Sequence, residues 1–180
     1  KKKIHSLLFL LIFMFLSCRQ EGVSAAPNII YILADDLGYG DLGAFNRMGK
    51  IKTPHLDQMA RQGMIFTDAH TSSGVCFPSR YTLLTGRYHW RTAMNLGVLG
   101  NGGKPLISED RLTIGSLAQQ QGYRTACIGK WGMGMFDTSG SPLKVGFDHF
   151  FGYNCQRHAH SYFPKYLYND DLRFELKGNN

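Results

Sequence analysis

The side chains in this sequence best equipped for chemistry are Cys76 and Arg80, in the run Cys76-Phe77-Pro78-Ser79-Arg80-Tyr81-Thr82-Leu83-Leu84-Thr85-Gly86-Arg87, and the adjacent pair Asp35 and Asp36. Neighbouring carboxylates on a turn repel each other unless a cation neutralises them, and hard cations such as calcium or magnesium take oxygen ligands of this kind. The same pair also reads as a solvated acidic turn or a helix cap. Pro78-Ser79 reads as a helix opening, with Tyr81 to Leu84 as its body. A helix N-terminus presents free backbone N–H groups and a positive dipole end to an anion. Arg80 would add a planar guanidinium with directed donors.

The elements that must position these groups follow from the hydrophobic pattern. Asn28-Ile29-Ile30-Tyr31-Ile32-Leu33-Ala34 is a nearly continuous apolar run that ends in Asp35-Asp36-Leu37-Gly38-Tyr39-Gly40-Asp41. Such a run, bounded by turn residues, reads as a buried parallel strand. Its carboxyl end carries the two aspartates, and sites collect beyond strand carboxyl ends in open α/β sheets. Thr53-Pro54 opens a helix, with Thr53 as N-cap, Leu56, Met59 and Ala60 as its apolar face, and Gly63 as its stop. Met64-Ile65-Phe66-Thr67 reads as a second strand. Thr113 caps a helix from Ile114 to Gln121, Gly122 ends it, and Arg124 to Ile128 reads as the next strand. Alternating strands and helices predict an α/β fold with a mostly parallel sheet. The loosest stretch is Leu99 to Lys104, and no internal repeat is visible.

The 180 residues are about one domain's worth of chain. With 43% hydrophobic and 18% charged residues the composition is globular, which excludes a disordered or fibrous chain. Four cysteines are too few for a disulfide-dense scaffold. The formal charge of +7 falls to +4 without residues 1–25, where Lys1, Lys2, Lys3 and Arg19 face only Glu21. No basic cluster interleaved with aromatics remains, so nucleic acid is not an expected partner. That first segment reads as an export signal. A basic start precedes an unbroken apolar run from Leu7 to Leu16, too short for the roughly 20 residues of a membrane span. Cleavage after Val23-Ser24-Ala25 would make residues 1–25 a signal peptide. Alternatively, Phe15-Leu16-Ser17-Cys18 resembles a lipobox, whose signal would end before an acylated Cys18, the one expected link to a membrane. Either route predicts an exported protein: periplasmic, secreted, or an outer-surface lipoprotein.

The run at Cys76 resembles the sulfatase signature C-x-P-S-R-x-x-L-x-T-G at every fixed position. Four fixed residues alone recur by chance on the order of once in 10⁵ positions. The resemblance extends over residues 26–180. It takes in the Asp35-Asp36 turn, Thr53-Pro54-His55-Leu56-Asp57, Gly122-Tyr123-Arg124-Thr125 to Gly129-Lys130-Trp131, and Gly146-Phe147-Asp148 to Phe151-Gly152-Tyr153. It implies a formylglycine-dependent sulfatase of the alkaline-phosphatase-like superfamily, with a mostly parallel sheet sandwiched by helices. It further implies that a maturation enzyme oxidises Cys76 to formylglycine, and that Asp35, Asp36 and the group at Cys76 hold Ca2+ or Mg2+. Arg80 would stabilise the formylglycine hydrate, and Lys130 would contact a sulfate oxygen. A hydrated aldehyde carries two hydroxyls on one carbon. One attacks sulfur as the substrate's alcohol departs; the other loses its proton, and collapse to the aldehyde expels sulfate. The implied reaction is hydrolysis of sulfated carbohydrates or aryl sulfates.

The sequence departs from the family pattern in two ways. The second signature usually continues Gly-Lys-Trp-His, whereas here it runs Gly129-Lys130-Trp131-Gly132. In the cluster His158-Ala159-His160, His160 is the better match to a functional family histidine, and an imidazole suits a leaving-group acid. The chain is also shorter than full enzymes of the family, so residues 26–180 are expected to be the N-terminal portion of a catalytic domain. Two other functions share these residues: a phosphonate or phosphate monoester hydrolase with the same nucleophile, and a non-catalytic sulfated-glycan binder, which the missing histidine favours. Cys127 reads as a small core residue, with a Cys127–Cys155 disulfide as an alternative after export.

Overall fold

The fold is taken from a computed structural model, which describes residues 26–92 and 105–179. The expected export segment and the loose stretch at 99–104 lie outside the described residues. Helix α1 spans Pro54–Gln62, α2 Cys76–Thr85 and α3 Ile114–Gln120. Strand β1 spans Ala126–Lys130 and β2 His149–Tyr153; the short helix α4, Gln156–Ala159, precedes β3, Tyr166–Asn169, and β4, Leu172–Glu175. The strands form one sheet in the order β1-β2-β3-β4. No described helix is long and apolar enough to cross a membrane.

The sheet is mixed rather than mostly parallel. β1 and β2 pair in parallel from Ala126 opposite His149 to Lys130 opposite Tyr153. β3 and β4 then return antiparallel. Asn169 pairs with Leu172, leaving Asp170 and Asp171 as a two-residue turn with Asp170 at φ +55. Short loops of this kind join antiparallel neighbours, whereas a parallel pair needs a long crossover. The Asp170 carboxylate also accepts from the Phe150 N–H and meets the His149 ring at 3.0 Å, pinning the turn to β2.

Helix α2 carries the core. Phe77, Tyr81 and Leu84 recur at helical spacing and are buried, against Trp131, Met133, Val145, Phe147 and Phe150. The Trp131 ring stands edge-on to Phe147 at 5.7 Å, and its N–H donates to the Gly140 carbonyl at 2.8 Å. The helix opens at Cys76, two residues before the expected start, with Val75 as N-cap. Ser79 accounts for the earlier start: its hydroxyl donates back to the Ser73 carbonyl at 2.7 Å, drawing the incoming loop against the first turn. Gly86 closes the helix at φ +63, and its N–H donates to the Thr82 carbonyl. A side chain there would be strained, which is the physical content of the motif's Thr-Gly ending.

Thr113 caps α3 as expected, accepting from the Ser116 N–H at 3.0 Å while Ser116 accepts from the Thr113 N–H at 2.9 Å. Asp148 ties the following strand in place by accepting from the Thr125 N–H and from Gln119 on α3. At α1 the boundaries agree but the cap chemistry differs. Thr53 sits at the N-cap, and its hydroxyl accepts from the Gly43 N–H and donates to Asp57 instead of closing its own helix. The expected strands at 28–34 and 64–67 carry no ladder, and Ile29 to Leu33 are exposed. A buried strand needs paired neighbours and a covering layer, and the described residues supply neither to this run.

Candidate active site

The site grows from the flank of α2 beside its core face, and Cys76 itself packs against the core cluster. Cys76 and Arg80 are one helical turn apart, so both project along one flank of α2, about a quarter turn from the stripe of Phe77, Tyr81 and Leu84. Cys76 is the first residue of the helix and half-buried. Arg80 reaches across to the end of β1, donating to the Lys130 carbonyl at 2.6 Å and to the Asp35 carboxylate at 3.0 Å. Lys130, the last residue of β1, places its ammonium 2.6 Å from the same Asp35 oxygen.

This triad is better shielded than a surface ion pair. The side chains of Arg80 and Lys130 are 15% and 14% exposed, and that of Asp35 is 32% exposed. Partial burial pushes the Asp35 carboxyl up, but the bonds and charges of Lys130 and then Arg80 outweigh it and hold the carboxyl below its ordinary value. Two cations meet on the one carboxylate of Asp35, and the neighbouring Asp36 brings the four groups to neutrality. Arg80 also keeps its Nε buried without a partner. A spare donor beside two fixed cations suits an anion.

Asp36 follows Asp35 in a left-handed conformation, φ +58, which aspartate tolerates better than most residues. Its side chain forms no hydrogen bond or ion pair with a described residue. The donor chemistry of Asp35 and Asp36 fits a hard divalent cation. Among the described residues, however, no three His, Cys, Asp or Glu side chains gather at one point. His160 lies exposed at the C-cap of α4, and its ring is hydrogen-bonded to no described residue. A separate cleft of about 600 Å³, lined by Arg47, Lys52, Asp57 and Arg61 among others, lies along α1 and includes none of these groups.

One contact was not foreseen from the sequence. The Cys76 Sγ–H donates to the amide oxygen of Gln156, the first residue of α4, at 3.6 Å. No motif marks Gln156. Pairing continues past the sheet from the Trp131 N–H to the Tyr153 carbonyl and from the Gly132 N–H to the Asn154 carbonyl, and this brings the two loops side by side. Cys127, on the core side of β1, and Cys155, the N-cap of α4, are both free thiols, so the alternative disulfide is not formed.

The family model described as Sulfatase matches residues 27–176. The chain belongs to the sulfatase family. It is 39% identical over 137 residues to an N-acetylgalactosamine-6-O-sulfatase of Bacteroides thetaiotaomicron, covering 71% of this chain and 26% of that relative. It is 44% identical over 142 residues to arylsulfatase G of Rattus norvegicus, covering 78% of this chain and 26% of that one. The chain therefore spans about a quarter of the length of the curated relatives it matches. A solved structure described in connection with glycosaminoglycan metabolism by Bacteroides thetaiotaomicron superposes with a TM-score of 0.72 at 34% identity, over 87% of this chain and 34% of that one. Ps i-CgsB, solved in complex with k-i-k-neocarrahexaose, superposes with a TM-score of 0.71 at 30% identity, over 83% and 37% of the two chains. The mixed sheet with its helices is thus part of an alkaline-phosphatase-like α/β fold of the sulfatase kind.

Proposed function

We propose that this chain supplies the nucleophile and the first charge cluster of an exported sulfuric ester hydrolase acting on sulfated glycans or aryl sulfates. The observation that carries the reading is the convergence of Arg80 and Lys130 on Asp35, one helical turn from Cys76. Cys76 is the residue a maturation enzyme would convert to formylglycine, whose hydrate supplies a hydroxyl nucleophile and a second hydroxyl for release of sulfate. Arg80 and Lys130 orient the anion and offset its charge, from positions already fixed by α2 and β1, so little reorganisation accompanies reaction. Asp35 and Asp36 would hold Ca2+ or Mg2+, which when bound offsets charge on the sulfate oxygens and lowers the pKa of an adjoining hydroxyl. His160, one turn along from Gln156, is the candidate proton donor to the departing alcohol. The glycan class is supported by the names of the relatives and by the carrageenan-type oligosaccharide in one neighbour. Residues 1–25 serve as the signal peptide, or residues before Cys18 as a lipoprotein signal.

The test is the mass of the Cys76 peptide from full-length protein produced with a competent maturation system, followed by turnover. Loss of sulfur with gain of an aldehyde is expected, together with hydrolysis of an aryl sulfate in preference to the matching aryl phosphate. Preference for the phosphate would reassign the site to a phosphomonoester or phosphonate hydrolase. A second reading, a sulfated-glycan binder without turnover, is favoured by Gly132 alone. Glycan binding with an intact Cys76 thiol would establish it.

A further inference from the structure

The position where the family pattern has a histidine is not vacant space here. Gly132 sits at φ +85, a backbone conformation that side chains adopt only under strain. A β-carbon at 132 would overlap the amide nitrogen of Gln156 and lie 2.9 Å from its Cδ. The Gln156 side chain thus fills the volume a residue at 132 would enter, and its amide oxygen accepts from Cys76 Sγ. Its amide nitrogen is buried and has no partner. An unpaired buried N–H group is costly, and an oxygen seated beside it removes that cost.

We infer that Gln156 contacts the reacting group at Cys76 in place of the missing histidine. Its carbonyl accepts from the hydroxyl that replaces the thiol, and its amide N–H donates to an oxygen of the bound sulfate. This rests on the formylglycine reading for its first half and on the unpaired amide for its second. Unlike an imidazole, the amide carries no ionisable proton, so it orients and stabilises without acting as acid or base.

The test compares full-length wild-type protein with Gln156→Met, which keeps the shape without donors, and Gln156→Glu, which keeps an acceptor and loses the N–H pair. The readouts are the mass of the Cys76 peptide, kcat and KM for 4-nitrophenyl sulfate, and affinity for inorganic sulfate. Both variants should convert Cys76 as wild type does. In both, kcat should fall roughly hundred- to thousand-fold, the range expected for one lost transition-state donor, with KM changed far less. Sulfate affinity should weaken about tenfold in Gln156→Met and further in Gln156→Glu, where like charges oppose. Unchanged kcat and unchanged sulfate affinity in converted Gln156→Met overturn the inference. An unconverted wild-type Cys76 overturns the formylglycine reading instead, and the sulfate measurement still decides on Gln156: unchanged affinity rejects the amide donor and weakened affinity supports it.

Discussion

The apolar run Ile29 to Leu33 and the strand His149–Tyr153 are both short and rich in large hydrophobic residues, yet they end in opposite surroundings. Ile30 is 85% exposed, whereas Phe150 is fully buried. β2 has β1 on one edge and β3 on the other, and α2 shares its core. The earlier run has no ladder and nothing packed over it among the described residues. Burial is therefore a property of neighbours and not of the run itself. The site straddles this difference. Cys76, Arg80, Lys130 and Gln156 stand on the packed elements, while Asp35 and Asp36 stand at the end of the uncovered run. Among the described residues, the polar links joining residues 26–66 to the packed elements all meet at Asp35. The anion-binding side of the site is preorganised by the core, and the carboxylate side is held chiefly by its own ion pairs.

The contrast breaks most sharply at the core. Phe150→Ala should destabilise the 180-residue chain by about 3–5 kcal/mol, the range for deleting a buried aromatic, as read from the urea midpoint at unchanged slope. Phe150 shares its core cluster with Phe77, Tyr81 and Leu84 of α2 and stands 5.9 Å from the Phe136 ring, so the loss would loosen the helix that presents Cys76. A cost below about 0.5 kcal/mol, the level of an ordinary surface change, would show that α2 does not depend on the sheet.

The next effect in size comes from Cys127, whose side of β1 faces the core. Burial pushes its thiol up to about 11 from an ordinary 9.0, and the Arg80 charge offsets only part of that. Below about pH 9 the thiol is protonated in both folded and unfolded chains, and its contribution to stability is intact. As pH rises from 9 towards 11 the unfolded chain loses this proton first, so the folded state is disfavoured. The loss is about 2–3 kcal/mol, two pKa units at 1.36 kcal/mol each. Other groups titrate in that window, so the measurement is the difference between wild type and Cys127→Ala across pH 8 to 11. Parallel profiles would mean that Cys127 faces water and the packed side of β1 is misassigned.

What could be read from the sequence follows the same division. The Thr113 cap and the α3 and β1 boundaries to within two residues were legible because each depends on local chemistry. The Cys76–Arg80 face was not, because the expected helix opens at Pro78, and only the observed start at Cys76 puts those two side chains one turn apart on it. The strand expected at 28–34 failed because its burial depends on partners that no local pattern encodes. The antiparallel return was announced by Asn169-Asp170-Asp171 between alternating strands, a hairpin signal that strand–helix alternation overshadowed. Gln156 was out of reach. The sequence shows only that a histidine is missing at Gly132, and which side chain fills the space depends on the φ of Gly132 and on how two loops lie together. The comparison with known sulfatases bears out the family read from the Cys76 motif and is silent on Gln156.

The smallest expected effect sharpens the contrast from its other side. Ile30→Ser removes a large hydrophobe that the described fold leaves in water. Where no contact exists, the transfer and cavity terms that make core truncations costly are both absent. Stability should change by less than about 0.5 kcal/mol, as for surface substitutions generally. The substitution should also reduce self-association, because contiguous exposed apolar residues form an adhesive patch, and Ile29, Ile30 and Ile32 are exposed together. Urea unfolding and sedimentation at several concentrations measure the two effects separately. If Ile30→Ser instead costs as much as a core truncation, the run is packed in solution. Asp35 would then stand on a buried strand end, and both halves of the site would be equally preorganised.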